Sequence, residues 1–117
     1  MAQKLQPKEV IVVDNNCTDN TIKIVKKFKS VKVVKEKTQG LIAARNRGFR
    51  LASGDILCRI DADSRLSEGW TSAVTNAFEA DKDLTGITGL ATTDMIPRLP
   101  FGKTRLYAWG YFWLIGG

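Results

Sequence analysis

The chain contains no histidine. That removes every mechanism built on an imidazole: Ser-His-Asp triads, Cys-His pairs and His-ligated zinc. Its two cysteines, Cys17 and Cys58, stand far apart with neither CxxC nor CxH spacing, which argues against a disulfide framework or a thiolate metal site. The expectation is two buried, reduced thiols in a cytosolic compartment. No GxGxxG follows the first apolar run, which disfavours a dinucleotide-binding dehydrogenase. A Gly-rich triphosphate loop is missing there too, which disfavours a nucleotidyltransferase. Met1 to Lys8 is polar and lacks the apolar core of a signal peptide. The longest apolar stretch, Leu106 to Gly117, falls short of the roughly 20 residues a bilayer-spanning helix needs.

What is present is an ordinary globular mixture, 117 residues with 44% apolar and 26% charged side chains. That length suits one modest domain, able to bury roughly two-thirds of its unfolded surface. The net charge is +6, from 18 Lys+Arg against 12 Asp+Glu. Lys23, Lys26, Lys27 and Lys29 read as a solvated helix face. Basic excess also attracts phosphates, on a nucleotide, a lipid headgroup or a nucleic acid. Nucleic acid is not the expected partner, because the charge is dispersed and no aromatic-basic stacking motif accompanies it.

Strand and helix signals alternate, with no repeat or linker between them. Glu9–Asp14 (EVIVVD) is a β-branched run ending in an acid, as in a parallel strand buried on both faces. Thr18, Asp19 and Asn20 can cap a helix carrying Ile22, Val25 and Phe28. Val31–Glu36 is a second strand. Gly40 opens a helix over Leu41–Ala52, stopped by Ser53-Gly54. Asp55–Ile60 is a third strand, Trp70–Ala80 a third helix, and Leu84–Gly89 a fourth strand. This order predicts an α/β fold with a doubly wound, mostly parallel sheet. In such sheets ligands bind beyond the carboxyl ends of the strands, where Asp14 and Asp61 fall.

The sharpest chemical feature is Asp61-Ala62-Asp63. In an extended segment alternation would put both carboxylates on one side, about 6.6 Å apart. Two converging carboxylates favour a cation between them, and hard oxygen donors without His or Cys select Mg²⁺ or Mn²⁺. The competing interpretation is a solvated acidic turn. Arg59 shares the face by alternation and can pair with Asp61 or meet a phosphate. Two further blocks precede the triplet. Asp14 to Thr21 (DNNCTDNT) is a strand-to-helix turn of short polar side chains, suited to the N–H edge of a base but also to plain turn chemistry. Gln39 to Gly48 (QGLIAARNRG) joins a glycine for close backbone approach to small residues for tight helix packing.

Taken together, VIVVDNNCTDNT, GLIAARNRGF and LASGDILCRIDADS resemble the nucleotide-sugar half of family 2 glycosyltransferases, with the GT-A, Rossmann-like fold. The match covers about residues 9–70 in order and at similar spacing. It implies that Asp14 and Asn15 face the base and ribose, and that Gly40, Arg45 and Asn46 pack beside the nucleotide. Asp61 would sit near the ribose or the metal, with Asp63 the main ligand of Mn²⁺ or Mg²⁺ on the diphosphate. Asn15 replaces the second Asp of many relatives, which leaves UDP-, GDP- and dTDP-linked donors open. Cys17 replaces a common Ser.

The resemblance also implies parts not found in this chain. Relatives carry an earlier strand beside Glu9–Asp14 and an acidic general base well beyond the DAD triplet. Residues 1–117 would then be part of one transferase domain, with Gln3–Lys8 the tail of a helix. Residues 9–70 would hold the donor motifs and 84–117 the start of the acceptor side. Without the earlier strand, strand edges and apolar surface would lie open. The expected activity is inverting, metal-assisted transfer to a carbohydrate or lipid-linked acceptor. It would take place in the cytoplasm, with possible contact to the inner membrane face through Phe101–Trp113, flanked by Arg98, Lys103 and Arg105. The rival is a non-catalytic basic α/β module binding phosphates or a protein.

Overall fold

The computed structural model describes residues 3–88 and the short strand at 115–116. The first strand, β1, covers Val10–Asp14 and pairs in parallel with β2, Val31–Lys35, in the register Val10↔Val31 through Asp14↔Lys35. Between them lies a short helix, α1, at Thr21–Val25. Helix α2 spans Leu41–Leu51. The third strand, β3, is only Ile56–Leu57. Helix α3 spans Trp70–Ala80, and β4, Ile115–Gly116, runs antiparallel to β3.

The α/β class therefore holds, with a parallel ladder and crossover helices. Among the described residues its strands form two ladders of two, β1–β2 and β3–β4. The expected strand at 55–60 shrinks to two residues, and residues 84–88 carry no strand; residue 89 lies outside the described residues. Strand signals need a partner to become strands, since an unpaired run leaves its backbone donors and acceptors to water.

Partnering also explains the burial. The β1 run reads as a strand covered on both faces, yet all five of its residues are only half-buried. Its one strand neighbour among the described residues is β2, and α2 packs against one face. Among the described residues Val74, on α3, is the single buried hydrophobic side chain, while Ile24, Phe28, Leu41 and Ile42 are more than half exposed. Cys17 and Cys58 are free, as expected, but exposed rather than buried, because little packs over the loops that carry them.

Residues 3–9 are not the expected helix tail. They are held irregular by long-range bonds. Gln3 Nε2 donates to the Ser67 carbonyl (2.7 Å) and its Oε1 accepts from the Thr71 N–H (3.3 Å), while the one hydroxyl hydrogen of Thr71 is shared between the Leu5 carbonyl (2.7 Å) and Gln3 Oε1 (3.3 Å). The Gln3 carboxamide thus satisfies one open N–H in the first turn of α3, where Gly69 at φ 79° offers no side-chain cap. Glu9 closes the other end of the segment: its Oε1 accepts from the Ser53 N–H (2.5 Å) and hydroxyl (2.9 Å), just past α2.

On α2 the small residues do what their spacing suggests. A Cβ added at Gly48 would lie 3.4 Å from Val13 Cγ2, so the helix rides on the Ile11/Val13 face of β1. Gly48→Ala should leave stability within about 1 kcal/mol, the helix propensity gained offsetting a tight but ordinary contact. Gly48→Leu should cost about 1–3 kcal/mol by overpacking. Urea denaturation of both variants checks this; equal midpoints would mean that α2 does not seat closely on β1.

Candidate functional site

The carboxyl end of β1 organises the site. Alternation along the strand sends Asp14 and Asn15 in opposite directions. Asp14 turns back on its own loop, its Oδ1 accepting from the Cys17 N–H at 2.9 Å. That hydrogen bond holds the Asp14 carboxyl below the usual range, with smaller help from the opposing Lys35. The Cys17 thiol is pushed up by desolvation and by the Asp14 carboxylate beside it, which favours the thiol over the thiolate. Of the three expected capping residues it is Asp19 that makes the bond, its Oδ1 accepting from the Thr21 N–H (2.9 Å), while Asn20 holds the N-cap position without a side-chain cap.

Asn15 continues the α2 face. Its Nδ2 donates to the carbonyls of Glu36 (3.0 Å) and Thr38 (2.7 Å), and its Oδ1 accepts from the Gly40 N–H (2.9 Å). Asn16, at φ 61°, donates to the Lys37 carbonyl (2.9 Å) and to Gln39 Oε1 (3.0 Å). The loop completes itself through Glu36, whose carboxylate accepts from the Thr38 N–H at 2.8 Å. That bond, with Arg47 and Arg50 nearby on α2, lowers the Glu36 pKa. Gly40 enters α2 at φ 130°, a conformation that side chains rarely adopt.

This loop and the start of α2 line a shallow, solvent-open cavity of about 790 Å³, whose walls include Glu36, Thr38, Gln39, Gly40, Asn46 and Arg50. Arg45 lies beside Asn46 on α2, and its Nε is buried without a hydrogen-bond partner. The structure thus brings Asn15 onto Gly40 at the carboxyl end of β1, next to Asp14, and puts Gly40 and Asn46 on the cavity wall, whereas Asp14, Asn15 and Arg45 do not line it. Asp61 and Asp63 are not among the walls of the cavity.

Asp61-Ala62-Asp63 differs from the extended geometry expected of it. The Ser64 N–H donates to the Asp61 carbonyl at 3.0 Å, closing a turn over the triplet. The β3 ladder ends at Leu57, so no ladder among the described residues holds 58–63 extended, and Asp is at home in turns. Arg59 does meet Asp61, its Nη2 donating to Oδ1 at 2.8 Å. Asp63 is exposed. Hard carboxylate oxygens fit Mg²⁺ or Mn²⁺, which take one or two protein carboxylates and complete their shell with water and phosphate. Among the described residues no group of three or more His, Cys, Asp or Glu side chains could hold a metal ion. A cation at Asp61 and Asp63 would therefore complete its shell with oxygens other than those of the described side chains.

Comparison with known proteins is decisive at this point. The profile of glycosyl transferase family 2 matches residues 1–112. The chain belongs to that family. It is 22% identical over 120 residues to a glucosyl-dolichyl phosphate glucuronosyltransferase of Haloferax volcanii, covering 99% of this chain and 37% of that protein. It is 28% identical over 83 residues to a cholesterol galactosyltransferase of Borreliella burgdorferi, covering 68% and 23%. A poly-beta-1,6-N-acetyl-D-glucosamine synthase of Staphylococcus aureus is 28% identical over 93 residues, covering 76% and 23%. The chain thus spans well under half the length of these relatives. No solved structure matches it significantly. Among the described residues no helix is long and apolar enough to cross a membrane.

Sequence spacing missed Glu36 and Thr38, which line the cavity together with Gln39 of the QGLIAARNRG block. No local signal marked them, since two asparagines after a strand fit a turn or a cap as well as a bridge to another segment.

The low carboxyl pKa of Asp14 has a measurable sign. Stability from the Cys17 N–H bond is present above the ordinary Asp pKa of about 3.9 and fades as pH falls through the depressed folded value. Carbon-13 NMR titration should put the Asp14 midpoint below that ordinary value. A midpoint at or above it would mean that the turn is not held by this bond.

Proposed function

We propose that the chain supplies the donor side of a metal-assisted, inverting sugar transfer from a nucleotide-diphosphate sugar to an acceptor hydroxyl. The observation that carries this is the preformed end of β1, where Asn15 holds the polar 36–40 loop that lines an open cavity with the start of α2. In this reading Asp14 lies beside base and ribose, with Asn15 in the frame of the site. Gly40 lets the nucleotide approach the backbone, Arg45 and Asn46 face it from α2, and Asp61 and Asp63 face the diphosphate. The relatives' names support a donor role, because they differ in acceptor or product: a dolichyl phosphate, a sterol, a polysaccharide. What such proteins share is the handling of an activated sugar.

The acceptor oxygen attacks the anomeric carbon, and the bond from that carbon to the diphosphate breaks with its electron pair on the leaving group. The acceptor proton passes to a carboxylate general base. A divalent cation, when bound, supplies positive charge to the departing diphosphate. Arg45 offers a fixed cationic donor to the same oxygens. UDP-, GDP- or dTDP-linked sugars are the donor classes, and the acceptor is a carbohydrate or lipid-linked hydroxyl, reached at the inner membrane face from the cytoplasm.

Calorimetry with UDP- and GDP-sugars, with and without Mn²⁺, tests this. Binding should require metal and weaken about 10- to 100-fold in Asp63→Ala. Metal-indifferent binding of any polyanion would instead support a non-catalytic basic module. Arg59 provides a second check. Its ion pair competes with a cation for Asp61, so Arg59→Met should tighten Mn²⁺ binding, read as loss of free Mn²⁺ signal by electron paramagnetic resonance. Unchanged affinities for Mn²⁺ and nucleotide would reduce the pair to an ordinary surface contact.

A further inference from the structure

The Asn15 carboxamide spends both of its hydrogens and one lone pair on the main chain of residues 36–40, at 3.0, 2.7 and 2.9 Å. A carboxamide has two donor hydrogens, so none is left for a ligand. Asn16 binds the intervening residues Lys37 and Gln39 from the same turn. Helix α2 has no side-chain cap of its own at Gly40, and the Gly40 N–H is satisfied from across the site by Asn15.

We infer that Asn15 is a positioning residue: it acts on the donor through the 36–40 loop, which it clasps as the cavity wall, and does not itself read the nucleobase. This rests on the donor-site reading above. The identity of the residue matters because only a carboxamide of this length presents two donors and an acceptor in one plane. A carboxylate at position 15 would keep the acceptor for Gly40 but turn an oxygen, without a hydrogen, toward the Glu36 and Thr38 carbonyls. Protonation would restore one donor. The charged groups around that position are Asp14 and its opposing Lys35, Lys37 on the loop, Glu36, and Arg47 and Arg50 on α2. All are shared with the wild type, whose own pH profile serves as the reference.

UDP and GDP binding by calorimetry, at about pH 7.5 and about pH 5, is compared for the full chain and its Asn15→Asp and Asn15→Ala variants. Amide exchange of Gly40 is followed alongside. Both variants should bind about tenfold more weakly at the higher pH, the equivalent of one or two lost hydrogen bonds. Asn15→Asp alone should recover toward wild type at the lower pH, and Gly40 should exchange faster in both. Wild-type affinity in Asn15→Asp at the higher pH overturns the inference, since a carboxylate could still accept from a base N–H. Unchanged Gly40 exchange overturns it as well. Should the wild type bind neither nucleotide, the donor-site reading fails on its own. The clasp is then judged by Gly40 exchange, faster in both variants if it exists and unchanged if it does not.

Discussion

Two neighbouring carboxamides, Asn15 and Asn16, tie the carboxyl end of β1 to the segment that leads from β2 into α2, and the rest of the site is arranged around that tie. Burial cannot do this work here, because β1 is only half-buried and Val74 is the one buried hydrophobic among the described residues. Hydrogen bonds in so open a setting are each worth only about 1 kcal/mol against water. Closing several over one five-residue loop lets each bond hold the geometry for the next. The loop fixes Gly40 at φ 130°, and Gly40 fixes where α2 begins. Arg45 and Asn46 follow little more than one turn later. Their placement is thus inherited from two side chains on another strand.

The same alternation separates two jobs that sequence adjacency would merge. Asp14 and Asn15 are consecutive, yet one folds back onto the Cys17 N–H and the other crosses to Gly40. A carboxylate that accepts a single backbone N–H keeps lone pairs for a ligand, whereas a carboxamide with both hydrogens engaged does not. The first is suited to contact, the second to support.

How much of this could be read beforehand depended on how local each signal was. Val10–Asp14, Val31–Lys35, Leu41–Leu51 and Trp70–Ala80 follow periodicity and end signals within a few residues, and the sequence indicates them almost to the residue. Asp55–Ile60 and Leu84–Gly89 have strand composition, but a strand also needs a neighbour, and that neighbour is not encoded nearby. The DAD triplet shows the same limit. Its side-chain geometry was inferred from an extended backbone, and with β3 ending at Leu57 the local preference of Asp for turns prevails. The clasp was illegible for a related reason: Asn15 and its partners are 21 to 25 residues apart. Nothing in the turn DNNC distinguishes a capping asparagine from a bridging one.

Arg59 and Arg45 bring opposite electrostatic states to a phosphate-bearing ligand. Arg59 is already neutralised by Asp61 at 2.8 Å, so any anion or cation arriving there must first compete with an internal partner. Arg45 has its Nε buried and unsatisfied, a condition that costs stability unless some group eventually accepts from it. In the proposed donor role the two arginines would therefore act differently: a cation and a diphosphate at the exposed DAD turn would trade partners with the Arg59–Asp61 pair, whereas the buried Arg45 Nε would have no internal partner to give up but would first have to be reached. An exchangeable ion pair at the turn is thus set against a buried, unspent donor on α2, and of the two only the pair at the turn is accessible as the chain stands.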